Sequence, residues 1–196
     1  MTTTELPAFQ KIITRSFIDV EVIDEGINTD QFLEATDGLI KMFDLFGSAA
    51  FSVVQNDMRN NVKKIRTRFM ENPVEYDTLE KLMAKEAHLK KRTATEALLW
   101  LKRGLEFTSQ SLLHSLQNPN DELKTSFSQA YEKTLKPHHN FLLAMNACPW
   151  RKDFYERIDV TTEENTKMMK EWLDALQHLI DILNHVFKKN PAYTKH

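Results

Sequence analysis

Glycine is scarce in this chain. Four occur in 196 residues, about 2% against a typical ~7%, and they stand apart as Gly26, Gly38, Gly47 and Gly104. Isolated glycines cannot build a phosphate-cradling loop, which excludes Rossmann and P-loop enzymes. One cysteine, Cys148, leaves no partner for an intrachain disulfide. That fits a reducing compartment, so a cytoplasmic address is expected, with Cys148 read as a small apolar residue rather than a nucleophile. Met1-Thr2-Thr3-Thr4-Glu5 lacks the basic and apolar regions of a signal peptide, and no apolar run approaches the ~18 residues of a membrane span. Any membrane contact is therefore expected to be peripheral and transient. Nor does charge of one sign dominate: 26 basic against 28 acidic side chains give a net charge of -2, which argues against a nucleic-acid partner. With 41% hydrophobic and 28% charged residues, the chain is expected to bury roughly 70% of its unfolded surface in one core.

Long stretches between prolines carry the helical period and none alternates, so the expected class is all-α, with no place for a sheet. The first helix is expected from about Pro7 to Asp19, and the second from Thr29-Asp30 to near Gly47. A third runs from about Ser48 to Asn72-Pro73 on the stripe Phe51, Met58, Val62, Ile65, Phe69. Asp77-Thr78-Leu79-Glu80, Thr93-Ala94-Thr95-Glu96 and Thr161-Thr162-Glu163-Glu164 have capping-box spacing and mark three further starts. Another helix begins at Asn120-Asp121-Glu122 and reaches Cys148-Pro149, kinked at Pro137. The last carries Trp172, Leu176, Leu179, Leu183 and Phe187, with Trp172 in the core. About eight helices in a single domain spanning 1–196 result, without repeat or linker.

None of the seven histidines belongs to an H-E-x-x-H or E-x-x-H pattern, which removes two helical metalloenzyme classes. Asp174 with His178 and Asp181 with His185 are four apart on one helix, where ordinary surface pairing accounts for them. No metal, cofactor or catalytic group is expected, and the chain is not read as an enzyme.

Two constellations remain. Asp57, Asn61 and Lys64 lie at i, i+4 and i+7, so they share one narrow sector of the third helix, beside the core stripe and continued by apolar Ala50 and Val54. From spacing alone, a solvated face with local hydrogen bonds is the plainer account. On a later helix Trp100, Gly104 and Phe107 repeat that spacing, with Gly104 costing ~1 kcal/mol relative to Ala in a helix interior. A tryptophan face beside a gap, facing polar side chains, suits a sugar, whose C–H groups stack on indole while its hydroxyls find directional partners. Core packing remains the commoner reading of such a pair. His138-His139, after Pro137, adds an imidazole near a turn.

The stretches 56–65 (Asn-Asp-Met-Arg-Asn-Asn-Val-Lys-Lys-Ile), 97–107 (Ala-Leu-Leu-Trp-Leu-Lys-Arg-Gly-Leu-Glu-Phe) and 130–139 (Ala-Tyr-Glu-Lys-Thr-Leu-Lys-Pro-His-His) together resemble the glycolipid transfer protein family. The resemblance runs in order from Phe32-Leu33-Glu34-Ala35, through Phe43-Asp44-Leu45-Phe46-Gly47-Ser48, to Asp153-Phe154 and Tyr193. It implies a two-layer all-helical sandwich that encloses lipid chains and holds sugar and amide at the surface. It further implies that Asp57 accepts from the ceramide amide N–H and a sugar hydroxyl, while His139 donates to the amide carbonyl. Asn61 and Lys64 would bind sugar hydroxyls, Trp100 would stack under the first ring, and Tyr193 would add a sugar contact. Relatives specific for phosphorylated ceramide carry a basic residue in place of Asn61 and arginine in place of Trp100, which sets this sequence with the neutral glycolipids.

The ligand implied is a glycosphingolipid. Its alkyl chains gain ~0.8 kcal/mol per buried CH2, in a pocket expected to be lined by Phe43, Phe46, Ala50, Val54, Phe107 and Leu135. A membrane-docking face is expected at Trp150, Arg151 and Lys152, with Phe141 and Lys136 beside them. The chain departs from the family pattern at Pro137-His138, at Met42-Phe43 and at Glu96, whose place in the Thr93 capping box gives it a structural reason. The implied function is transfer of neutral glycosphingolipids between membranes by a monomer. Three alternatives stay open: a glycolipid sensor without net transfer, a ceramide-1-phosphate carrier, and a cargo-free helical adaptor, which would lack an elongated apolar cavity.

Overall fold

The computed structural model describes residues 6–23, 26–47, 51–138 and 148–194. Among them eight α-helices form: α1 (Ala8–Lys11), α2 (Thr29–Met42), α3 (Phe51–Glu71), α4 (Leu79–Glu86), α5 (Thr93–Gln117), α6 (Leu123–Thr134), α7 (Arg151–Arg157) and α8 (Glu163–Lys189). They build a two-layer helical sandwich with α5 at its centre, packed against α3, α4, α6 and α8. The apolar stripe of α8 explains its docking, since Met169, Trp172, Leu176, Leu179, Leu183 and Phe187 recur at helical spacing and are all buried. Trp172 lies in the core, its ring 5.4 Å from that of Phe17 and 6.0 Å from that of Phe9.

Several elements depart from the sequence expectation. The first helix breaks after Lys11, and a 3-10 turn follows over Phe17–Asp19. The β-branched run Ile12-Ile13-Thr14 and Ser16, whose hydroxyl accepts from Ile18 N–H, both work against a continuous helix. A small sheet does form: β1 (Val22–Ile23) pairs antiparallel with β2 (Gly26–Ile27). α2 starts as expected, with Asn28 capping Gln31 N–H at 3.1 Å. It tightens into a 3-10 turn over Phe43–Phe46 and stops at Gly47, whose φ of 63° is left-handed. A side chain at Gly47 would also overlap the Arg157 guanidinium, which donates to the Phe46 carbonyl. α6 ends at Thr134, before Pro137, instead of running through it, and residues 135–138 turn.

The three capping boxes all resolve differently: at α8 the cap is Thr162, accepting from Asn165 N–H at 3.1 Å, in place of Thr161. Thr78 caps α4 through Lys81 N–H, and Glu80 turns away to accept from Ile27 N–H at 2.8 Å, tying α4 to β2. Thr93 is the first residue of α5 rather than its cap. The acceptor there is the carboxylate of Glu86, the last residue of α4, 1% exposed. It takes Ala94 N–H at 3.2 Å, Thr95 N–H at 2.7 Å and the Thr95 hydroxyl at 2.8 Å. Arg68 Nε on α3 donates to the same carboxylate at 3.0 Å, so one buried anion at the positive end of α5 joins three helices. The structural reason given above for Glu96 therefore falls away.

Candidate functional site

α3 and α5 pack side by side, which brings the two sequence constellations into one place. Asp57, Trp100 and Gly104 line a surface cleft of about 110 Å³, together with Val53, Val54, Met58 and Leu135. Asp57 is exposed at the cleft, while Asn61, one turn along, is 4% exposed. Asn61 Nδ2 donates to Asp57 Oδ2 at 3.2 Å, fixing the carboxylate and leaving its other oxygen to accept from a ligand. Lys64 follows on the same face, exposed and without an ion pair among the described residues. Trp100 is half-buried. Below it, a Cβ added at Gly104 would meet Met58 Cγ at 3.5 Å and Sδ at 3.7 Å. The missing side chain therefore forms part of the cleft floor, and Met58 forms the rest.

Asp57 and Trp100 thus put a hydrogen-bond acceptor and a stacking surface beside apolar walls, with Asn61 and Lys64 following on the same face of α3. His139 lies outside the described residues. His138, just before it, faces Arg103 and Lys102, and burial together with these two cations holds its imidazole below the ordinary histidine value, against Glu106. Tyr193 is half-buried and packs edge-on against Phe187, with ring centroids 6.4 Å apart. Its short turn, Pro191–Thr194, rests on α5, but Tyr193 does not line the cleft.

Of the expected pocket residues, Val54 and Leu135 line the cleft, and Ala50 lies outside the described residues. Phe43, Phe46 and Phe107 are buried in an aromatic cluster with Phe51, Phe127 and Phe154. Its ring centroids lie between 4.8 Å (Phe46 with Phe154) and 6.0 Å (Phe46 with Phe127). On the expected docking face, Trp150 is 71% exposed and Lys152 is exposed beside it. Lys136 is exposed and paired with Glu132, and Phe141 lies outside the described residues. Arg151 turns inward, donating to the Ser115 carbonyl at 2.8 Å and hydroxyl at 2.6 Å, with its guanidinium over the Tyr155 ring.

Sequence reasoning missed Val53, 58% exposed at the cleft. Its signal was an apolar residue off the core stripe of α3. It also missed Arg103, whose guanidinium carbon lies 4.7 Å from the centre of the Trp100 ring. The i, i+3 spacing of a cation and an aromatic could have found that pair. On α8, Asp174 pairs with Lys170 and Asp181 accepts from Gln177.

Similarity to known proteins extends over nearly the whole chain. The model of the family "Glycolipid transfer protein (GLTP)" matches residues 27–160. A glycolipid transfer protein of Aureobasidium melanogenum is 43% identical over 190 residues, covering 94% of each chain. The crystal structure of HET-C2, a fungal glycolipid transfer protein, superposes with a TM-score of 0.87 at 39% identity, over 94% of this chain and 98% of that one. FAPP2, described as selecting simple glycosphingolipids with this fold, gives a TM-score of 0.82 at 29% identity, over 95% and 97%. The chain belongs to the glycolipid transfer protein family.

Proposed function

We propose that this chain carries glycosphingolipids between membranes, as a monomer and without catalysis. One observation carries the reading: Asp57, Trp100 and the gap at Gly104, from two different helices, line a single cleft whose other walls are apolar. Asp57, oriented by Asn61, accepts from the ceramide amide and a sugar hydroxyl. Trp100 stacks under the first ring, Asn61 and Lys64 serve its hydroxyls, and His139 and Tyr193 complete the head-group set. The alkyl chains enter past Val54, Met58 and Leu135 toward the aromatic cluster. The fungal relative named for glycolipid transfer and the glycosphingolipid-selective FAPP2 support this cargo.

The family is one of lipid transfer proteins rather than enzymes. No helix among the described residues is long and apolar enough to cross a membrane, so docking is peripheral, through the exposed Trp150 with Lys152 beside it. Arg151 is engaged with Ser115 and supports this edge from behind.

The test is transfer of fluorescent glucosylceramide, galactosylceramide and ceramide-1-phosphate between vesicles, with wild type beside Trp100→Ala and Asp57→Val. Rapid transfer of both hexosylceramides, lost in both variants, is expected. Preference for ceramide-1-phosphate would overturn the head-group assignment, and binding without transfer would make the protein a sensor. Trp150→Ala should weaken vesicle partition while leaving the thermal midpoint in place; unchanged partition would remove Trp150 from the docking face.

A further inference from the structure

Arg103 sits on α5 one turn beyond Trp100, half-buried, with its guanidinium carbon 4.7 Å from the indole centre. Among the described residues it makes no hydrogen bond and no ion pair, which is unusual for a partly desolvated guanidinium with five N–H donors. The nearby carboxylate is already taken. Glu106 accepts from Lys102 Nζ at 3.1 Å and from Asn184 Nδ2 at 3.0 Å, and Lys102 donates onward to Asn184 Oδ1 at 2.7 Å. This closed network between α5 and α8 occupies both Glu106 oxygens. Among the described residues the guanidinium thus lies against the indole, with Glu106 and His138 reaching it only through the longer-range field.

The placement is directional. Trp100 lines the cleft and Arg103 does not, so the guanidinium lies over the indole without itself lining the ligand space. A half-exposed tryptophan on a helix face has rotamer freedom, and a sugar platform that swings forfeits stacking. We infer that Arg103 is a positioning residue: it backs the Trp100 indole and holds it across the cleft, while the Lys102–Glu106–Asn184 network keeps Glu106 from drawing the guanidinium away. The inference rests on the head-group role of Trp100 proposed above. Arg103 acts through the indole and needs no contact with the lipid.

The experiment is competition binding of glucosylceramide and of ceramide to wild type, Arg103→Met, Arg103→Lys, Trp100→Ala and the Trp100→Ala/Arg103→Met double variant, each with a thermal midpoint. Arg103→Met keeps the aliphatic stem and removes the cation. It is expected to weaken glucosylceramide binding by about 3- to 10-fold and leave ceramide binding and the midpoint unchanged, with Arg103→Lys recovering most of the loss. In the Trp100→Ala background Arg103→Met should have no further effect, because the two residues act as one unit. Additive losses in the double variant, or equal losses for both lipids, would overturn the inference. If wild type itself fails to distinguish glucosylceramide from ceramide, the head-group reading falls. If wild type and Arg103→Met discriminate equally well, the positioning role alone falls.

Discussion

Gly104→Ala separates the two reasons a helix can carry a glycine. A Cβ at this position would stand 3.5 Å from Met58 Cγ and 3.7 Å from its Sδ, ordinary van der Waals distances that require no shift. Since Gly104 lies inside α5, alanine should gain about 1 kcal/mol from reduced unfolded-state freedom and better helix propensity. In a chain of this size that raises the thermal midpoint by about 2–4 °C. The same methyl projects into a cleft of about 110 Å³, where it would take space from a bound lipid. Overpacking in a filled site costs roughly 1–3 kcal/mol, a loss of about 5- to 150-fold in affinity. The variant should therefore be more stable and a poorer carrier, measured by calorimetry and by transfer of fluorescent galactosylceramide between vesicles. A raised midpoint with unchanged transfer would mean the lipid does not use the gap. A lowered midpoint would refute the packing argument at Met58.

Three further outcomes test other parts of the molecule. Glu86→Ala leaves Arg68 and the first N–H groups of α5 without their buried acceptor. It should cost about 3–5 kcal/mol, lowering the midpoint by about 6–20 °C; a drop under about 2 °C would show that Glu86 does not hold the helices together. At Glu80 burial raises the carboxyl above its ordinary value, against the Ile27 N–H that it accepts. A carboxyl raised in the folded state stabilises the fold where it is protonated, below the ordinary range, and that contribution is lost as pH rises through the raised value. Glu80→Gln, neutral throughout and still able to accept from Ile27, should then be more stable than wild type in urea melts at pH 7 and lose this advantage at pH 4; a pH-independent difference would contradict the assignment. Burial pushes the Cys148 thiol up to about 11, so iodoacetamide should label it slowly at pH 8 and rapidly in urea. Fast labelling of the folded protein would contradict its burial.

What could be read from sequence was local to one helix. The shared sector of Asp57, Asn61 and Lys64, the Trp100–Gly104 gap and the stripe of α8 all follow from spacing, because helical geometry is set within a few residues. Pairings across loops were not legible. Thr93-x-x-Glu96 satisfies a capping-box pattern, yet the N–H groups of α5 are met by Glu86 across the α4–α5 turn, where a buried carboxylate outcompetes a local hydroxyl. Arg151 had the composition of a membrane anchor, and only the fold brings Ser115 beneath it. The short β1–β2 pair fell below the length at which alternation shows.

The aromatic cluster explains why pocket residues read from sequence turn up as core. Large apolar side chains gain dispersion contacts by packing on one another. Phe43, Phe46, Phe51, Phe107 and Phe127 pack ring on ring. An apolar cavity of about 150 Å³ holds a single benzene; the open cleft, at about 110 Å³, admits part of a sugar or the end of one chain. On the proposed function, an alkyl chain that entered here would exchange ring–ring contacts for ring–chain contacts of similar energy, one apolar surface replacing another. Met58, an unbranched side chain over a glycine at the cleft floor, is the group that can move first at least cost, because it leaves Gly104 behind it with no side chain to follow.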